Sequence, residues 1–136
     1  MTLTANRDVP HYVDQAIRTL QVGSVEHIYK GAFVSVDASG YAAPLAAGET
    51  FMGIAFEECD NSGGDDGDRS IRVYTLGDFD HALGGAAVTD IGALVFASDD
   101  ATLTLSNVGT SLIGHVVDVP SSGVIIVRIQ PFHLFT

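Results

Sequence analysis

The stretch EECDNSGGDDGDR places Glu57, Glu58, Asp60, Asp65, Asp66 and Asp68 within 12 residues. A hard cation such as calcium would use that density of oxygen ligands, but the twelve-position loop with a central Gly and a closing bidentate Glu is absent. The segment therefore reads as a solvated hairpin tip, kept mobile by like charges that repel. Asp78, Asp80 and His81, in GDFDHALGG, set carboxylates beside an imidazole, as a metal site or an acid/base pair would need. The plainer reading is a turn with polar side chains in water. His11, His27, His115 and His133 are scattered, and no i, i+4 pair places two ligands on one face. No Ser or Cys stands in a Gly-x-Ser-x-Gly elbow, and Cys59 lies between Glu58 and Asp60, whose charges disfavour a thiolate. GDDGDR lacks the Lys of a phosphate loop and repels phosphate. No catalytic residue, metal site or cofactor is assigned, and the chain is read as a non-enzyme.

What must position these residues is a β-framework. Two segments, GAFVSVDASGYAAPLAAGETFMGIAFE from Gly31 and GALVFASDDATLTLSNVGTSLIGHVVD from Gly92, align without a gap at a constant offset of 61. Gly31, Ala32, Val34, Gly48 and Gly53 fall over Gly92, Ala93, Val95, Gly109 and Gly114, and Ile54 falls over His115, which marks that histidine as an accommodated core or interface residue. IRVY around Arg72 answers VRI around Arg128 at an offset of 56, so the first copy carries five extra residues, in the acidic loop. Strands are expected at Phe33–Asp37, Phe51–Glu57, Ile71–Leu76, Leu94–Ala97, Thr102–Leu105, Leu112–Val119 and Val124–Gln130, with Tyr41 returning the chain after the Asp37–Gly40 turn. Val13, Ala16, Ile17 and Leu20 have helical spacing, yet Ile17, Thr19 and Leu20 to Val22 equally suit a strand entering the sheet, which is the reading adopted, and Gly84 to Asp90 is read as a link with room for one turn of helix. The expected fold is all-β, a small β-sandwich or barrel built from two pseudo-repeated halves, with an extended N-terminal arm. Residues 1–22 form the arm and leading strand, and 23–136 a single β-domain with half 1 at about 27–80, half 2 at about 88–130 and an apolar tail at 131–136.

With 17 acidic residues against six basic ones, the net charge is −11, and no Lys/Arg stripe follows phosphates, so nucleic acid is excluded as a partner. One cysteine cannot form an internal disulfide. The first residues lack the pattern of a signal peptide and the longest apolar runs, GALVFA and VIIV, are too short to span a bilayer, so a soluble protein without its own export signal is expected. The C-terminus crowds Phe132, Leu134 and Phe135 after Pro131; these three fold back on the core or form a subunit interface.

The phrases IYKGAFVSVDASGYAAP, FMGIAFEECDN, RVYTLGDF, DIGALVFASDDATLTLS and IGHVVDV, across about residues 27–130, resemble the capsid cement, or head-decoration, proteins of tailed bacteriophages. The resemblance rests on scaffold positions such as Lys30-Gly31-Ala32, Gly40-Tyr41, Gly53, Arg72-Val73-Tyr74 and Ile91-Gly92. It implies a compact homotrimer, made in the host cytoplasm, on the outer capsid surface of the virion, bridging major capsid protein subunits without catalysis or membrane. In that setting the N-terminal arm is the expected capsid contact, through Arg7, Val9, Pro10, His11, Tyr12 and Val13, with Arg7 and Tyr12 as anchors; a free disordered arm is the alternative. A trimeric tail, fibre or carbohydrate-binding β-module is the competing class, although the loops lack the clustered aromatics that stack on sugars.

Overall fold

The computed structural model describes residues 2, 4–7 and 16–131. In chain order these hold β1 (Ile17–Gln21), β2 (His27–Ile28), β3 (Phe33–Val36), β4 (Ala42–Pro44), β5 (Phe51–Ala55), β6 (Cys59–Asp60), β7 (Ser70–Tyr74), β8 (Asp78–Ala82), β9 (Leu94–Ala97), β10 (Leu103–Thr104), β11 (Ser111–Ser121) and β12 (Val124–Ile129). The one helical element among them is a 3-10 turn at Val88–Asp90, within the link where a turn of helix was expected; there Asp90 accepts the Ala87 N–H at 2.9 Å. The protein is all-β, as the alternation of apolar runs with Gly, Asp and Ser clusters implies.

Two antiparallel five-stranded sheets share one order. The first runs β1-β7-β5-β3-β4, the second β8-β12-β11-β9-β10 when read from its β8 edge. Strands β1, β3, β4 and β5 correspond to β8, β9, β10 and β11 at the offset of 61, and even the irregularity recurs. Met52 is the extra residue where β5 pairs β3, and Ile113 where β11 pairs β9. Each bulge adjoins a glycine whose missing side chain makes room for the neighbouring strand. A Cβ on Gly53 would lie 2.4 Å from the Tyr74 carbonyl oxygen, and one on Gly114 1.9 Å from that of Arg128.

Three differences from the sequence reading follow from the register. Ile54 pairs Tyr74 and His115 pairs Arg128, so Tyr74, rather than Arg72, corresponds to Arg128; the offset there is 54 and the first copy is seven residues longer, not five. A shift of two keeps every side chain on its face, so Ile71 and Val73 still match the buried Ile125 and Val127. GDFDHA is not a solvent turn but the edge strand β8, and β1 is its counterpart in the first sheet. The strands of the first sheet thus begin at Ile17 and those of the second at Asp78, where the sequence set the halves at about 27–80 and 88–130.

The two sheets bury their faces differently. The inner face of the first, with Val34, Ala55, Ile71 and Val73, is covered by Ile28 and Cys59 from the small β2–β6 ribbon. Its outer face carries Phe33, Phe51 and Ile54, which join Val95, Ile113, Ile125 and Val127 of the second sheet in the larger core. Fully burying a Phe or Ile side chain stabilises by about 1.5–3 kcal/mol, so this second contact binds the halves into one body.

Candidate functional site

Among the described residues no group of three or more His, Cys, Asp or Glu is gathered for a metal. The β8 strand shows why its three candidates do not combine. Alternation sends Asp78 and Asp80 to one face and His81 to the other. Asp78 instead takes two bonds from Arg128, at 2.8 and 3.0 Å, and these hold its carboxyl below the usual range, as do the Arg128 charge and, more weakly, His115. His81 stacks on Phe33 with ring centroids 5.2 Å apart. His115, half-buried, stands on the outer face of the second sheet between Leu94 and Arg128.

The acidic loop is built, not loose. Asn61, almost fully buried, donates its side-chain amide to the carbonyls of Val22, Gly23 and Asp65 at 3.3, 2.8 and 3.0 Å. Three carboxylates accept backbone N–H groups: Asp60 from Ser62, Asp68 from Asp65, and Asp66 from Ser24 across the neighbouring turn. The expectation of a mobile tip is thereby corrected. Three of the charges that would repel in an open loop are thus committed to backbone amides, each of which stabilises an anion by a charge-assisted bond. At the loop's base Glu57 holds Arg72 through Arg72 Nε and Nη2, at 3.0 and 2.8 Å, and also accepts its backbone N–H. Those hydrogen bonds, with the adjacent charge, lower the Glu57 carboxyl to about 2, and the guanidinium lies 4.6 Å above the Phe56 ring. Cys59 is pushed up first by burial and then by Glu57 and Asp60, with Arg69 opposing, so it is a poor nucleophile.

Beside the loop, His27 meets Glu58 at 2.6 Å and stacks on Tyr29 at 4.2 Å. Val25, two residues earlier, has φ of 59° and is exposed, an unusual position for a β-branched residue. The sequence offered no warning of either. Asn61 did leave a signal, since an amide among carboxylates and glycines is the residue able to donate inside such a loop.

Of the expected arm contacts, Arg7 is exposed, while Val9, Pro10, His11, Tyr12 and Val13 lie outside the described residues, as do Phe132, Leu134 and Phe135. Among the described residues no helix is long and apolar enough to cross a membrane. Large apolar side chains do reach the surface, concentrated in the second half at Val88, Ile91, Leu94, Leu105 and Val108. Comparison with protein-family models, curated proteins and solved structures found no match.

Proposed function

We propose that this chain is a non-enzymatic virion protein that binds the outside of a phage capsid and stabilises contacts between major capsid protein subunits, acting as a homotrimer made in the host cytoplasm. The supporting observation is where the phrases of the resemblance fall. Lys30-Gly31-Ala32 leads into β3 at the junction of the halves, Gly53 and Tyr74 form the tight crossing of β5 and β7, and Ile91-Gly92 leads into β9. They are scaffold positions of the two sheets, and among the described residues Glu57, Asp60, Asp66, Asp68 and Asp78 are engaged in internal hydrogen bonds. Such a scaffold works by being a contact, and many copies of a modest contact add up across a shell. The arm, anchored through Arg7 and Tyr12, is the part proposed to reach a capsid subunit, and the acidic surface suits a basic patch on it.

Mass spectrometry of purified particles tests the reading. A cement protein is expected at near-stoichiometric abundance relative to the major capsid protein; a handful of copies per particle would assign the chain to a tail or fibre instead.

A further inference from the structure

One buried atom of the acidic loop has no partner. Asn61 is 1 % exposed, and its Nδ2 donates to the carbonyls of Val22, Gly23 and Asp65. Three facing carbonyls fix which end of the amide is nitrogen, since an oxygen placed there would meet no donor. Oδ1 therefore turns the other way, and it is buried without a hydrogen bond. It lies under Gly64, where a Cβ would collide with it and touch Asp68. Asn61, Gly64 and Asp68 line an open hollow of about 520 Å³ together with Asp60, Ser62 and Arg69. A bare buried acceptor is costly, and one held at the wall of a polar hollow points to an ion that completes it.

The neighbouring oxygens are of the same hard kind. Asp60 accepts the Ser62 N–H on Oδ1, and Asp68 accepts that of Asp65 on Oδ2. The other carboxylate oxygen of each has no hydrogen bond among the described residues. Two carboxylates are fewer than the three that would mark an acidic metal cluster, but calcium completes its shell of oxygens with amide and main-chain carbonyls and with water. The hollow has room for those waters, each of which takes about 30 Å³. Oδ1 itself has less than 1 Å² open to water, so a bare calcium ion, smaller than a water molecule, reaches it where the ammonium or guanidinium of a partner does not. Arg69 is the cation on this wall, and its charge opposes an incoming ion.

We propose that this hollow is a calcium site, with Asn61 Oδ1 and one carboxylate oxygen each from Asp60 and Asp68 as protein ligands and water in the remaining positions. Gly64 is the residue that leaves the amide oxygen uncovered. With two carboxylates and an opposing Arg69, the site is weak, with a dissociation constant of about 10⁻⁴–10⁻³ M. Its effect is a clasp. Asp60 belongs to β6 and Asp68 stands just before β7, so the ion ties the ribbon that covers the first sheet to the loop that feeds its β7 strand.

The test titrates the chelator-treated full chain with calcium chloride at low ionic strength. Calorimetry is expected to give one site per chain in that range, and about 10 mM calcium should raise the melting temperature. Asp60→Asn and Asp68→Asn keep an acceptor for the Ser62 and Asp65 N–H groups, so each should fold as the wild type and lose about tenfold or more in affinity. Asp80→Asn, which removes an exposed carboxylate of β8, should bind as the wild type does. No binding by the wild type overturns the proposal, and so do equal losses in Asp80→Asn and Asp68→Asn, which mean diffuse attraction to an acidic surface. Arg69→Gln should bind more tightly; an unchanged affinity places the ion elsewhere and overturns the assignment. Terbium reports the position. The chain has four tyrosines and no tryptophan; the Tyr41 ring lies against Gly67, and Tyr29 stacks on His27, which stands 3.9 Å from Asp60. Terbium emission excited through tyrosine is expected, displaced by calcium and lost in the double variant Tyr29→Phe/Tyr41→Phe. Emission that survives either treatment overturns the site.

Discussion

At the scale of single residues, Asn61 and Glu57 carry the most. Asn61→Ala leaves the carbonyls of Val22, Gly23 and Asp65 without the donor they share, and a buried polar group stripped of its partner costs about 1–3 kcal/mol. The substitution should lower unfolding stability in urea by about 3 kcal/mol; a loss within error of zero would mean that water replaces the amide freely. Glu57 sets an acid limit. Its folded-state carboxyl, near 2, lies below its ordinary value of 4.5, so the stability it contributes is present above 4.5 and is lost as pH falls toward 2. Asp60, Asp78 and Asp99 are shifted the same way. Melting temperature should therefore be level near neutrality and decline through that acid window, with a shallower decline in Glu57→Gln. A decline as steep as that of the wild type would remove Glu57 from the account. The carboxylates were plain in the sequence, but their bonds were not, because composition shows charge density and not which backbone amides the fold turns toward it.

Among elements, the glycine bulges are the sharpest instance of what was legible. The aligned pair Gly53 and Gly114 marked corresponding positions, and the fold supplies the reason: a neighbouring strand passes where a side chain would be. Gly114→Ala should cost about 3 kcal/mol, the upper part of the range for overpacking a tight site, because its obstacle is the Arg128 backbone. Gly48→Ala, at φ of 88° with nothing near its Cβ position, should cost about 1–2 kcal/mol, from left-handed strain alone. Equal losses in thermal denaturation would mean that the close crossing relaxes. Strand β8 was the main element misread. Asp78, Asp80 and His81 look like a polar turn, yet alternation along an edge strand puts acids outward and Phe79 and His81 toward the core, a pattern that polar residues disguise. The β2–β6 ribbon, two residues a side, is too short to leave any periodicity.

For the whole molecule, the repeated strand order was readable from glycines and apolar positions, whereas the stacking of outer face on inner face was not, since periodicity assigns faces without naming their partners. Which half depends on the other follows from that stacking. The inner face of the first half is covered by its own ribbon, but Phe33, Phe51 and Ile54 are buried by the second half. A fragment of residues 1–76 should consequently bind a hydrophobic dye and scatter light at concentrations where the full chain stays clear; a clear, dye-negative fragment would show that this face tolerates water. The same dependence imposes a sequence of events on synthesis. β1 waits for β7 before the first sheet is complete, and β8 waits for β12, the last strand of the second. A nascent chain therefore carries a finished sheet with one greasy side uncovered until the ribosome has delivered the strands through β12, and that interval is when neighbouring nascent chains are most able to capture one another.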